Sequence, residues 1–164
     1  MKKIGIVGSR GRNDSNTLWA LRDGFFRIYQ DGDWIVSGGA KKGGDWVAYD
    51  LSNCFGIPIL IFNARWDYEW DAVIKRLIYR TAYNKAAGFI RNKPIAHHSD
   101  VLIATPKPET VEFFRNLQGS VMIKDLNKLK GGTENTIGHW IRHKSTYSEG
   151  DRHYEWNTNN LILL

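Results

Sequence analysis

The chain has a single cysteine, Cys54, among its 164 residues. That excludes an internal disulfide and fits a reducing, cytoplasmic setting. Cys54 falls on the apolar stripe of an expected helix and reads as a buried core residue. No apolar run approaches the roughly 20 residues that a membrane span needs, so no membrane partner is expected. Met1-Lys2-Lys3 opens like a secretion signal, but Ser9, Arg10 and Arg12 break the apolar run too early. No glycine loop ends in Gly-Lys-Ser/Thr, and no Gly-x-Gly-x-x-Gly follows the first apolar run. Both gaps disfavour kinase, ATPase and dinucleotide-dehydrogenase readings. Internal repeats and linkers are also missing. Residues 1–164 therefore read as one domain, with an inserted segment at about 106–130.

What is present is a soluble globular composition, 42% hydrophobic and 24% charged, with a formal net charge of +6. The positive balance favours an anionic partner: a nucleotide, a nucleic acid, or both. Seven tryptophans are many for this length, and those not in the core are candidates to stack on bases.

Strands and helices alternate in the pattern. Lys3 to Val7 is almost wholly apolar and reads as a strand buried on both faces. Asn13 to Ser15 offer helix caps, and Leu18, Leu21, Phe25 and Ile28 recur at helical spacing. Trp34 to Ser37 is a second strand, Val47 to Cys54 a second helix, and Ile57 to Phe62 a third strand. Asp71 to Thr81 reads as a helix with Val73, Leu77 and Ile78 inward. Ala86 to His97 is expected to be helical, with Pro94 delaying its start or sitting in its first turn. Val101 to Thr105 is a fourth strand, and Leu161 to Leu164 a closing one. The repeated strand-helix-strand order predicts an α/β fold with a mainly parallel sheet.

Glycine loops follow the strands. Gly8-Ser9-Arg10 supplies a small backbone, a hydroxyl and a guanidinium fork suited to phosphate. Ser37-Gly38-Gly39 with Gly43-Gly44 supplies a turn that feeds a helix, and amides at a helix start favour an anion. Asp45 stands at that helix start, placed either to cap it or to accept from a ribose hydroxyl. Gly131-Gly132-Thr133 is a further cradle of amides and a hydroxyl. Ligands of open parallel sheets sit beyond the carboxyl ends of the strands, so these loops can meet on one edge. Trp66, Tyr68 and Trp70 follow the third strand at that same edge, as a base-stacking group or as a lid on the core.

These motifs stand in a fixed order: Gly8-Ser9-Arg10, Ser37-Gly38-Gly39-Ala40 with Gly44-Asp45, Ala64 and Trp66, Ala87-Gly88 with Arg91-Asn92, Asp100 with Leu102-Ile103-Ala104, and Gly132-Thr133 with Ile137. In this the chain resembles the SLOG superfamily, named for DprA (Smf) and the LOG phosphoribohydrolases, and looks closest to its small stand-alone YspA-like branch. The likeness covers about residues 3–142. It implies a Rossmann-like three-layer sandwich that binds a nucleotide or nucleotide-derived ligand. It also implies that Arg91, Asn92, Gly132 and Thr133 lie at the pocket, and it makes a homodimer an expectation. Beyond a bound nucleotide no cofactor is expected.

Two other activities stay open. One is a nucleotide N-glycoside hydrolase of the LOG type, for which Arg91, Asp45 and Glu134 are the catalytic candidates. The LOG glutamate, three residues after the Gly-Thr threonine, is here Thr136. A carboxylate near the anomeric carbon stabilises a cation-like state or activates water, and its loss costs orders of magnitude. The other is DprA-like binding of single-stranded DNA. The link Lys41-Lys42-Gly43-Gly44-Asp45 has one residue more than is usual in the family, which changes the second glycine loop and adds positive charge. Lys124, Lys128 and Lys130 form a second basic group in the inserted segment. His97 and His98 are adjacent and point about 100° apart on a helix. His139 and His143 have metal-competent spacing but no recognised Cys or Glu partner, so no metal is expected.

Overall fold

The strand β1 (Lys3–Gly8) is apolar on both faces because both faces are covered: Ile4 to Val7 are all buried. The structure is a computed structural model that describes residues 1–65, 68–71, 75–79 and 86–164, with the backbone alone for 68–71 and 76–79. After β1 come α1 (Ser15–Ile28), β2 (Trp34–Ser37), α2 (Gly44–Phe55) and β3 (Ile59–Ile61). Next are β4 (Tyr68–Asp71), β5 (Arg76–Tyr79), α3 (Ala87–His98), β6 (Val101–Thr105) and α4 (Pro108–Arg115). The chain continues through β7 (Ser120–Met122), α5 (Ile123–Leu126), α6 (Gly132–Lys144), β8 (Thr146–Ser148), β9 (His153–Glu155) and β10 (Leu161–Leu163).

Five strands form the central sheet in the order β10-β6-β1-β2-β3, and every neighbouring pair is parallel. Alternate residues of each strand serve opposite faces. Ile4, Ile6, Ile35 and Ile103 meet Leu21 and Phe25 of α1 and Val47, Ala48 and Leu51 of α2. Val7, Val36, Leu102 and Ala104 meet Ile95 and Ala96 of α3 and Ile137, Trp140 and Ile141 of α6. The result is a Rossmann-like three-layer α/β sandwich: the parallel sheet is what the strand-helix alternation predicts, and the Rossmann-like form is what the family resemblance implies. Trp140 is fully buried and anchors α6 by donating from Nε1 to the Ser99 carbonyl at 2.9 Å. The segment at 106–130 contributes α4, β7 and α5, and β7 joins β9 and β8 in a three-stranded antiparallel sheet. Among the described residues no helix is long and apolar enough to cross a membrane.

Three expectations need correction. Asp71 to Thr81 is not one helix: its described residues include the end of β4 and all of β5, an antiparallel pair with Asp71 opposite Arg76. Tyr68-Glu69-Trp70-Asp71 alternates with a period of two, and Arg76 to Tyr79 is rich in residues that favour strands. The expected inward Val73 lies outside the described residues. Pro94 neither delays α3 nor sits in its first turn; it lies inside a continuous helix. The bond it cannot donate is the one to the carbonyl of Ile90, on the exposed side of the helix. Cys54 is exposed rather than buried, because the core stripe of α2 ends at Leu51.

Candidate functional site

The strand order reverses between β1 and β6, the two parallel strands whose onward connections run to opposite sides. A crevice opens there, beyond their carboxyl ends. A cavity of about 560 Å³ fills it, lined by residues from five parts of the chain, one of them Asp45 at the start of α2. Gly8, Ser9 and Arg10 come from the β1–α1 loop, Gly88, Phe89, Arg91 and Asn92 from α3, Lys107 from the β6–α4 loop, and Gly131 to Glu134 from the start of α6.

Each wall is fixed by local bonds. The Ser9 amide donates to the Thr105 carbonyl at 2.9 Å, so the first loop grows directly from paired strands. Arg12 then donates to the carbonyls of Pro106 and Leu164, which ties that loop to the end of β6. Asn92 donates from Nδ2 to the Gly132 carbonyl and to Asn135 Oδ1, both at 3.1 Å, and so locks α3 to the first turn of α6. Gly131 has φ 134° and ψ 164°, a conformation open essentially to glycine alone, which turns the chain into α6. The first turns of α3 and α6 both border the cavity, and each brings the positive end of a helix dipole to it.

The glycine run before α2 has a different place. Gly44 lies directly on β1: a Cβ there would sit 2.5 Å from the carbonyl carbon of Val7 and 2.6 Å from the Gly8 nitrogen. The Gly43 amide is already bonded to Asn13 Oδ1 at 2.8 Å. Ser37, Gly38, Gly43 and Gly44 are buried behind the cavity and do not line it, while Gly39 borders a neighbouring hollow. Trp66 lies outside the described residues, and the side chains of Tyr68 and Trp70 do too.

Both candidate catalytic carboxylates reach the cavity wall already bonded. Asp45 Oδ1 accepts from the Ser37 hydroxyl and the Gly38 amide, each at 3.2 Å, and Oδ2 accepts from the Ala40 amide at 3.0 Å. Arg91 Nη2 stands 3.5 Å from the same Oδ2. Asp45 thus holds its own loop in shape, a role distinct from both a simple helix cap and a free ligand contact. Glu134 is 2% exposed, and its Oε1 accepts from the Lys107 amide and the Thr110 hydroxyl at 3.1 Å. It caps α4, whose own N-cap residue supplies no side-chain bond. Thr136 also lines the cavity and donates to the Gly132 carbonyl at 3.2 Å.

The cations are less committed. Arg91 donates from Nη1 to the Gly38 carbonyl, and its Nε is buried without a partner. Among the described residues the side chains of Arg10 and Lys107 have no acidic partner. Sequence reasoning missed Lys107 and Phe89, and it named Gly88 in a motif without assigning it to the pocket. Lys107 was findable from topology, since it follows the strand on the far side of the switch. Gly88 and Phe89 needed the register of α3.

Behind the site, His97 of α3 stacks on His143 of α6 with ring centroids 3.8 Å apart. Burial, then His143, Lys93, Lys144 and His98, holds the pKa of His97 below its ordinary value. Burial, then Arg142, His97 and Lys93, does the same for His139. Among the described residues no group of three or more His, Cys, Asp or Glu is placed to hold a metal ion.

Comparison with protein-family models, curated proteins and solved structures finds no match for the chain.

Proposed function

We propose that the crevice binds a nucleotide or nucleotide-derived ligand through its phosphate. The observation that carries this is convergence. The Gly8–Arg10 loop, Arg91–Asn92 and Gly131–Thr133 are far apart in sequence and line one cavity at the sheet's switch point. Its volume lies within the range of about 300–1,000 Å³ usual for small-molecule sites. Arg10, Arg91 and Lys107 bring positive charge to the wall, and two helix starts add to it. The phosphate belongs between the Gly8–Arg10 loop and the amides of Gly132 and Thr133. Ile95 and Phe89 give the cavity an apolar side for a base.

Binding is favoured over hydrolysis by the state of the carboxylates. A general base must reach water or the reacting atom within hydrogen-bond distance. Asp45 and Glu134 already accept from their own loops, and the remaining candidate position holds Thr136.

A thermal-shift and calorimetric screen of mononucleotides, ADP-ribose and cyclic nucleotides tests the reading. At least one is expected to raise the melting temperature and to lose affinity in Arg91→Ala. No binder at millimolar concentration, with folding intact, would overturn it. Release of free base would move the protein into the hydrolase class.

A further inference from the structure

A second hollow of about 620 Å³ adjoins the first, over the carboxyl ends of β2 and β3. Arg10 and Arg91 line both, so the two share a wall. Lys41 and Lys42 face the second hollow from the β2–α2 loop, and Asn63 faces it from the end of β3. Four of its lining residues are cations and none is acidic. Lys41 and Lys42 have neither an acidic partner for the side chain nor an acceptor for the amide among the described residues.

The loop geometry keeps this hollow open. Gly39 has φ +73°, and a side chain there would run into Asn63 Oδ1 and Ile61 Cγ2. The bare glycine therefore lets the loop close on β3 while both lysines stay at the surface. Arg91 sits at the junction. Its Nη1 is committed to the Gly38 carbonyl, whereas the edge carrying Nε and Nη2 has only the 3.5 Å approach to Asp45.

We infer that the ligand is a nucleotide with at least one phosphate beyond the first, and that Lys41, Lys42 and Arg10 hold the distal phosphate in the second hollow. This rests on the nucleotide reading of the first cavity. Like charges crowded into one concave surface repel, and a phosphate there neutralises them. A single-stranded nucleic acid is the competing occupant, and such sites also stack bases on aromatic rings. No aromatic residue lines the second hollow among the described residues.

The test is calorimetry on the full chain with the 5′-mono-, di- and triphosphates of one nucleoside and a pyrophosphate-linked dinucleotide. The di- or triphosphate is expected to bind at least about tenfold tighter than the monophosphate, with a steeper loss as salt rises. The double variant Lys41→Ala/Lys42→Ala should erase that gain and leave the monophosphate affinity within about twofold. A gain seen with the dinucleotide as well identifies a bridging pyrophosphate; one confined to the di- and triphosphate identifies a terminal phosphate. Equal affinity for mono- and diphosphate, or equal losses for both in the double variant, overturns the inference and leaves the nucleotide reading standing. No binding of any nucleotide overturns both. Tight binding of a short single-stranded oligonucleotide, lost in the double variant and without a mono-to-diphosphate gain, would instead make the hollow a nucleic-acid groove.

Discussion

The guanidinium of Arg91 lies against the bare Cα of Gly38 and donates from Nη1 to that glycine's carbonyl. A Cβ on Gly38 would come within 2.9 Å of Arg91 Cζ and 3.0 Å of Asp45 Oδ2. The glycine makes room for the arginine. Its φ lies outside the left-handed region, so alanine would be unstrained in its own backbone. Gly38→Ala therefore acts through Arg91. Nucleotide affinity should fall about ten- to hundredfold, the equivalent of displacing one charge-assisted hydrogen bond at about 1.5–3 kcal/mol. Calorimetry beside a thermal melt checks this; unchanged affinity would remove Arg91 from the site.

Asp45 is expected to matter first for stability. An asparagine keeps the shape but turns one oxygen into a donor facing donors. Asp45→Asn should cost about 1–3 kcal/mol in urea unfolding, with a matching loss of ligand affinity. A variant as stable as the parent would return Asp45 to the role of a ribose contact.

Two glycines with the same look in the sequence should behave oppositely. Gly44→Ala would press a methyl group into the backbone of Val7 and Gly8. Overpacking of that kind costs about 1–3 kcal/mol or more. Gly132 has open space around its Cα, so Gly132→Ala should leave stability within about 0.5 kcal/mol. The same variant should weaken ligand binding, since Gly132 borders the cavity. Unfolding curves of the pair test the first contrast and calorimetry the second.

The sheet and the glycine loops were legible in the sequence, because a buried parallel strand must be apolar throughout and a tight turn into a helix must be small. Lys3 to Val7 and Val101 to Thr105 announced themselves in this way. The division of labour among the loops was not legible. Gly44 and Gly132 differ only in what lies next to them in space, and Val7 beneath Gly44 is distant in sequence. Asp45 and Glu134 stood out as candidate chemistry, but that each also holds its own surroundings together was not legible, because the amides they accept from are fixed by loops whose paths no local pattern gives. The helix expected over Asp71 to Thr81 failed because Leu77 and Ile78 suit either period, and pairing with the strand at Tyr68–Asp71 decided the outcome.

The histidines between α3 and α6 set a pH dependence. The folded pKa values of His97 and His139 lie below the ordinary 6.5. Between 6.5 and those lower values the unfolded chain binds protons that the folded chain refuses. Stability is therefore full above about pH 6.5 and declines as pH falls through that window. Melts from pH 8 to pH 5 should show the decline, and His97→Gln should flatten it. A slope unchanged by His97→Gln would place its origin elsewhere.

The central claim is that the crevice between β1 and β6 takes a nucleotide's phosphate. Amide chemical shifts followed by NMR during titration with nucleoside 5′-monophosphates test it most directly. The account predicts that one of them moves the amides of Gly8, Ser9, Gly132 and Thr133 first and furthest, in a saturable way. Millimolar nucleotide that leaves those four amides unmoved, or shifts only the Lys124–Lys130 surface, would contradict it.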